Sequence, residues 1–237
     1  MTSSSFVTVA TSIPEMLETV KIDGVAFGLN LDKHATQKIY QFAIKNQCME
    51  PNYPFPFLID DLGEGGKLST GHIPIRALVK DPLDCLIIRE LANDQILLTL
   101  AQNYLGYFPN RISCHLTWSL ATSLSSDQVE KCYPPATFHY DIAGYNFATA
   151  YFYITPVVDV ESGPHAMFKG SHQKKALKML LRSARHPVDD LYAYYGPDKM
   201  IEILGDAGFG FFQDPSCFHR VRPPIHNNRL LLQLRYS

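Results

Sequence analysis

The sequence predicts a mainly β fold, a β-sandwich or jelly roll, with helices packed against its outside. Two observations predict it: helical patterns occupy the first half of the chain, and segments rich in aromatic and β-branched residues follow, separated by turn formers. With 237 residues, of which 46% are hydrophobic, the chain can bury a sizeable core. We therefore expect one domain over residues 1–237, helical up to about residue 106 and a strand-rich core over about 107–237.

Three helices are expected in the first half. Ser12 and Glu15 form a capping-box pattern around Pro14, which is favoured in the first helical turn. Aspartate can cap the other two helices through its carboxylate, and glycine is common just after a helix ends. The expected helices run from Ser12 to Gly24, from Asp32 to about Asn46, and from about Asp94 to Gly106.

Strands are expected in the second half, at 111–122, 137–141, 147–158, 208–213 and 230–236. An amphipathic helix at 173–185 interrupts them, within a helical insertion of about 173–205. The basic face of that helix is either a solvated surface or the border of a site that meets an anionic group such as a phosphate or CoA. In the first half, the Pro, Gly and Asp content of 51–71 indicates a long irregular loop.

Composition excludes several classes of protein. A net charge of -2 lacks the basic excess that binds nucleic acid without sequence preference. The apolar stretches are too short to span a bilayer, and the first twenty residues lack the features of a secretory signal, so a cytoplasmic location is expected. Five cysteines without a C-x-x-C spacing fit neither a disulfide framework nor a zinc site. The expected partner is a small-molecule substrate, and the sequence carries no signal of oligomeric state.

The residues that can carry chemistry lie in the second half. In a strand, His139 and Asp141 would project from the same face and could share one ion. Further on, two antiparallel strands joined by the turn-rich link 223–228 would bring His219 near Arg229. Two histidines and one carboxylate inside a barrel form the facial triad of non-haem Fe(II) oxygenases. A buried arginine beside them would bind a carboxylate through its planar fork.

At these positions the sequence resembles the phytanoyl-CoA dioxygenase family of Fe(II)- and 2-oxoglutarate-dependent oxygenases. The resemblance rests on His139-x-Asp141, the segment 153–165, Gly170-Ser171-His172, and then His219 and Arg229 in that order. It implies a double-stranded β-helix, a cupin-like jelly roll with the N-terminal helices packed on the major sheet. It further implies that His139, Asp141 and His219 bind Fe(II), and that Arg229 binds the distal carboxylate of 2-oxoglutarate.

The resemblance also implies a reaction, in which O₂ and 2-oxoglutarate are consumed, succinate forms and a C–H of a small organic molecule is oxidised. Related halogenases replace the carboxylate ligand with a small residue, so the presence of Asp141 favours a hydroxylase. Many relatives place a serine two residues after the arginine, where this chain has Leu231. Another hydroxyl must then contact the carboxylate, and the candidates are Thr149, Tyr151 and Tyr153.

The remaining candidates have ordinary structural interpretations beside the functional ones. Trp118 is expected in the core, although a position at the barrel mouth would place it against substrate. His165 and His172 lie in turn-like contexts and are expected to bind backbone groups, while Asp214 either caps a turn or orients a neighbour of the site. Two alternative functions stay open: a non-catalytic metal- or 2-oxoglutarate-binding relative, and a cupin-like metalloenzyme such as an isomerase.

Overall fold

The computed structural model describes residues 5–142, 146–180 and 185–237. The strands in this part of the chain are β1 Val7–Val9, β2 Val25–Leu31, β3 Cys48–Glu50, β4 Tyr53–Phe57, β5 Arg76–Val79, β6 Ile112–Ser119, β7 Ala148–Tyr153, β8 His165–Phe168, β9 Met200–Ile203, β10 Phe209–Gln213, β11 His219–Val221 and β12 Arg229–Tyr236. Most of them form one nine-stranded antiparallel sheet, in the order β1-β2-β10-β7-β12-β6-β5-β3-β4, and three others form a smaller sheet in the order β11-β8-β9.

Seven α-helices accompany the sheets in the described part of the chain. They are α1 Ile13–Asp23, α2 Lys33–Lys45, α3 Leu86–Ala92, α4 Gln95–Leu105, α5 Ser126–Cys132, α6 Leu177–Leu180 and α7 Val188–Tyr195. None of these helices is both long enough and apolar enough to cross a bilayer.

The two faces of the large sheet have different neighbours because side chains alternate along each strand. On one face, Phe152, Leu232 and Leu234 pack against buried residues of α1, α2, α3 and α4. On the other face, Tyr151 and Tyr153 pack against residues of the small sheet, including Met167. A large antiparallel sheet with a second sheet on one face and helices on the other confirms the predicted jelly-roll class.

The three predicted helices begin directly after their predicted N-cap residues. Ser12 and Glu15 make both hydrogen bonds of the capping box, and Gly24 ends α1 in the left-handed conformation. Asp32 accepts from the backbone N–H of Ala35 at 2.7 Å to begin α2. Asp94 caps α4 in the same manner, and a left-handed Gly106 ends it.

Several boundaries differ from expectation. The first half contributes five strands, β1 to β5, as well as helices. The sequence did not indicate these strands because most of them are too short to show a clear alternation of polar and apolar residues. Segment 51–71 contains strand β4. Segment 137–141 is not a regular strand, and only His139 makes isolated bridges there. In the expected insertion, α6 covers Leu177–Leu180, residues 181–184 of the expected helix lie outside the described part, and the last residues form β9.

Candidate metal centre

Backbone pairing brings the two distant histidines together. His139 donates its N–H to the carbonyl of His219 at 2.9 Å, and His219 donates to the carbonyl of His139 at 2.7 Å. Residues that exchange both bonds lie directly opposite each other in an antiparallel pair. The imidazole rings consequently stand side by side, with centroids 4.4 Å apart.

Asp141 completes the cluster from two residues further along the chain. Its backbone N–H donates to the carbonyl of Pro215 at 2.9 Å, which keeps this segment beside the loop before β11. Its Oδ1 lies 3.8 Å from Nε2 of His139. One potential ligand atom from each of His139, Asp141 and His219 lies within 4.8 Å of the others. The structure therefore brings the three predicted ligands to one point.

Hydrogen bonds to the backbone fix which nitrogen each imidazole presents. Nδ1 of His139 lies 2.9 Å from the carbonyl of Thr137, and Nδ1 of His219 lies 2.9 Å from the carbonyl of Cys217. A carbonyl only accepts, so each Nδ1 carries the hydrogen and each Nε2 offers a lone pair. Two such lone pairs and a carboxylate repel one another unless a cation lies between them. This donor set fits a divalent metal.

Burial favours the neutral form of His219, the more buried of the two histidines. Burial and the neighbouring His139 lower the pKa of His219 to about 4. A neutral imidazole keeps the lone pair that a metal needs.

A second arginine, which the sequence reasoning missed, holds the other side of the carboxylate. Arg235 forms an ion pair with Oδ2 of Asp141, and its guanidinium lies over the ring of Phe147 at 5.1 Å from the centroid. Arg229 and Arg235 are six residues apart on β12, so they project from the same face. The even spacing of these two arginines was the signal available in the sequence, but only the fold shows that Asp141 lies beside Arg235.

Arg229 is the buried cation that the sequence predicts, with an exposed fraction of 2%. It donates to the carbonyl of Gly163 at 2.6 Å and to the hydroxyl of Ser119 at 2.8 Å. Its Nε has no hydrogen-bond partner among the described residues, and burial lowers the pKa of its guanidinium. Arg229 lines the same cavity of about 360 Å³ as the three predicted ligands. A buried guanidinium of this kind favours an anionic partner.

The three candidate hydroxyls lie in different surroundings. Tyr151 lines the cavity, where its hydroxyl accepts from Gln233 at 3.4 Å. Tyr153 is occupied elsewhere, since its hydroxyl donates to the carbonyl of Ile203 at 2.8 Å and accepts from the N–H of His165 at 3.0 Å. Thr149 is completely buried and is absent from the cavity wall. Tyr151 thus remains as the candidate that reaches the cavity.

Ser119 is a hydroxyl that sequence reasoning missed. It stands directly opposite Arg229 in the register of β6 and β12, and it accepts from that guanidinium. Leu231, where many relatives have serine, pairs with Thr117 instead. The register places a serine hydroxyl beside the arginine from the neighbouring strand, a fact that spacing along the chain cannot reveal.

Trp118 does not line the cavity that contains the three predicted ligands, so its contact with substrate stays a prediction. Thr117 lines the cavity, and alternation along β6 places Trp118 on the opposite face of the sheet. There Trp118 is 2% exposed and makes an edge contact with Tyr40 of α2, with centroids 5.9 Å apart. It belongs to the core beneath the helices.

Other histidines and acids divide into neighbours of the cluster and structural residues. His165 lines the cavity with its ring stacked on His219 at 5.2 Å, contrary to its expected role in a loop. His172 contacts Cys217 at 3.4 Å. Asp214 accepts from the N–H of Ser216 at 2.8 Å and from the hydroxyl of Tyr104 at 2.6 Å, so it caps the turn before His219.

The expected basic helix does not border the cavity in its described part. Lys175 donates to the carbonyls of Ser171 and Ser216 at 2.9 and 2.7 Å. Its ammonium lies over the ring of Tyr140, 4.8 Å from the centroid. The lysine is occupied by protein groups rather than directed at a ligand.

Comparison with solved structures shows that this chain shares its fold with SnoK and SnoN, which are non-haem enzymes that depend on alpha ketoglutarate. SnoK, a carbocyclase from nogalamycin biosynthesis, has a TM-score of 0.65 at 15% identity, over 97% of this chain and 86% of that one. HygX from Streptomyces hygroscopicus, solved with nickel, 2-oxoglutarate and hygromycin B, has a TM-score of 0.62 at 13% identity, over 94% and 86%.

The epimerase SnoN, solved with Fe³⁺, alpha ketoglutarate and nogalamycin RO, also has a TM-score of 0.62, at 15% identity over 95% of this chain and 83% of that one. At such identities the likeness shows the fold. No protein-family model and no curated protein matches the sequence. Membership of the phytanoyl-CoA dioxygenase family accordingly stays a prediction.

Proposed function

We propose that the protein is an Fe(II)- and 2-oxoglutarate-dependent oxygenase that oxidises a C–H bond of a small organic molecule. The observation that carries the proposal is the convergence of His139, Asp141 and His219, with both histidines presenting Nε2. The shared fold of enzymes solved with iron or nickel and 2-oxoglutarate supports it. When bound, iron with 2-oxoglutarate supplies O₂ activation, with decarboxylation of 2-oxoglutarate to succinate.

In this proposal each residue of the cluster has a defined task. His139, His219 and Oδ1 of Asp141 would hold the metal, and the set of three protein ligands would leave room for 2-oxoglutarate and O₂. Arg235 holds Oδ2 of Asp141 and so keeps Oδ1 directed at the metal. These contacts position the ligands before the metal arrives, which reduces the cost of ordering them.

Arg229 would bind the distal carboxylate of 2-oxoglutarate. It shares the cavity with the cluster, and its Nε has no hydrogen-bond partner in the described part of the chain, so the guanidinium can still donate to a ligand. The hydroxyl of Ser119 lies beside the guanidinium of Arg229, and Tyr151 lines the cavity. An isomerase of the cupin type has no need for such an arginine, so this residue favours the oxygenase.

Hydroxylation is the reaction that we propose for the C–H bond. Asp141 occupies the position that a halogenase would leave open for chloride, and the carboxylate is held in place by Arg235. SnoN is an epimerase and SnoK is a carbocyclase, so this fold also supports reactions other than hydroxylation.

The proposal is tested by adding Fe(II) and 2-oxoglutarate to the protein without oxygen. We expect a visible charge-transfer band, and succinate after oxygen is admitted.

Asp141→Ala should lose iron binding, whereas Asp84→Ala, at an exposed position, should retain it. Arg229→Leu should bind iron but weaken 2-oxoglutarate at least tenfold, since a hydrogen bond to a charged group contributes about 1.5–3 kcal/mol. A band that Asp141→Ala retains would contradict the ligand set, and a protein that binds both without releasing succinate would be a non-catalytic relative.

A further inference from the structure

The wall of the cavity carries more positive than negative charge. Among its described lining residues, the arginines are Arg76, Arg229 and Arg235, while the single carboxylate is Asp141. Asp141 is already paired with Arg235. Arg76 and Arg229 therefore have no ion pair with a carboxylate among the described residues.

Arg76 projects from β5 in line with the predicted 2-oxoglutarate arginine. The register pairs Arg76 with Ser119, and Ser119 with Arg229, so the three residues form a row across β5, β6 and β12. Neighbouring strands lie about 4.8 Å apart, which separates the two arginine backbones by roughly 10 Å. The two guanidiniums thus belong to one wall but start from different strands.

The side chain of Arg76 is held in place without being neutralised. Its guanidinium lies over the ring of Tyr133, 5.1 Å from the centroid. No described carboxylate lies within ion-pair distance of it. A half-buried guanidinium that is fixed by an aromatic ring and lacks a counter-ion is suited to bind an anion from solution.

The charges of Arg76 and Arg235 also reach the outer part of the cavity. Partial burial, followed by the positive charges of Arg235 and Arg76, lowers the pKa of His115. His115 lines the same cavity and keeps part of its surface in contact with solvent, so this end of the wall is open to solvent. An anion entering from solution would meet a positive potential there.

We propose that the substrate is a small molecule with a carboxylate or phosphate group, and that Arg76 binds this group. The inference rests on the proposed function, because 2-oxoglutarate then uses the metal for one carboxylate and Arg229 for the other. Arg76 is left for a second anion. Its planar fork pairs with two oxygens of a carboxylate or phosphate, which fixes the orientation of the substrate relative to the metal.

The test uses the protein loaded with Fe(II) and 2-oxoglutarate without oxygen. The probes are inorganic phosphate, and the pairs hexanoate with methyl hexanoate and phenylacetate with methyl phenylacetate. Binding is followed by the change in the visible band, and by thermal shift. We expect phosphate or at least one acid to bind, its affinity to fall at least tenfold in Arg76→Gln, and Arg76→Lys to restore part of it. Arg89→Gln, at an exposed position on α3, should leave binding unchanged.

Three results would overturn the inference. One is that neither phosphate nor either acid gives a change that depends on Arg76. Another is that esters and acids bind equally well. The third is that Arg76→Gln weakens 2-oxoglutarate as Arg229→Leu does, which would assign Arg76 to the co-substrate. Absence of a visible band in the unmodified protein would instead contradict the proposed function, and the thermal shift with phosphate or acid would still test Arg76.

Discussion

Two backbone carbonyls decide what the histidines of the cluster can do. Thr137 and Cys217 each accept a hydrogen bond from the imidazole two residues further along the chain. A free histidine would divide its hydrogen between two nitrogens, whereas these rings are held in the tautomer that exposes Nε2. The residue two positions before each histidine thus matters for its backbone oxygen, whatever its side chain.

Arg235 provides a prediction at the scale of a single residue. Replacing it with Gln should weaken Fe(II) or Mn(II) binding by roughly 10–100-fold, because Asp141 loses the partner that orients its carboxylate. Titration of the metal-free protein with Mn(II) would measure the change. Arg235→Lys should recover part of the affinity, since the charge is kept, and Arg89→Gln should have no effect. Equal Mn(II) affinity in Arg235→Gln and the unmodified protein would show that the ion pair is dispensable.

The three side chains that converge could be predicted from the sequence, whereas the residues that support them could not. His139, Asp141, His219 and Arg229 belong to a pattern with a chemical purpose. Ser119 and Arg235, like Arg76, have no such pattern, since their importance comes from the register of strands that are distant in the sequence.

At the scale of elements, β11 and β12 show how the fold differs from the simplest interpretation of the sequence. We expected them to pair as neighbouring antiparallel strands, which was wrong. β11 pairs with β8 in the small sheet, while β12 lies between β6 and β7 in the large one. The link between them crosses from one sheet to the other, so His219 and Arg229 line the same cavity from different sheets. Strand partners of this kind are not encoded by local periodicity.

Gly24, which ends α1, gives a prediction at the scale of elements. Gly24 has a φ of 77°, and a Cβ there would lie 2.1 Å from Sγ of Cys217. Gly106 ends α4 with a φ of 82°, but a Cβ there meets nothing within 4 Å. Both Gly→Ala changes should cost about 1–2 kcal/mol for the left-handed backbone, and Gly24→Ala should cost clearly more.

Urea unfolding of both variants would separate the two contributions. The difference between them measures the collision with Cys217, because the backbone cost is common to both. Equal losses of stability would mean that the loop before His219 yields to the added methyl group. Cys217 contributes the carbonyl that holds His219, so Gly24→Ala should also weaken Mn(II) binding, whereas Gly106→Ala should not.

At the scale of the whole molecule, the cavity lies between two sheets that must keep a fixed separation. Tyr153 of β7 connects them, donating to the carbonyl of Ile203 in β9 and accepting from the N–H of His165 in β8. The helices on the other face hold the large sheet through a separate core. Composition and caps predict these layers, but the spacing between them depends on buried side chains such as this tyrosine.

Tyr153→Phe tests the connection. The change keeps the ring but leaves the buried N–H of His165 without its partner, which should lower the free energy of unfolding by about 1–3 kcal/mol. Tyr107→Phe is the matched control, because its hydroxyl donates to the carbonyl of Asn146 at 3.1 Å at an exposed position. Urea denaturation would measure both. A loss in Tyr153→Phe no larger than that in Tyr107→Phe would contradict the role of this hydroxyl between the sheets.

Crystals grown without oxygen from protein with Fe(II) and 2-oxoglutarate, measured at the iron absorption edge, give the most direct test of the central claim. We predict one anomalous peak in contact with Nε2 of His139, Nε2 of His219 and Oδ1 of Asp141, with 2-oxoglutarate extending from it to Arg229. Iron bound at other side chains, or 2-oxoglutarate bound away from Arg229, would contradict the account.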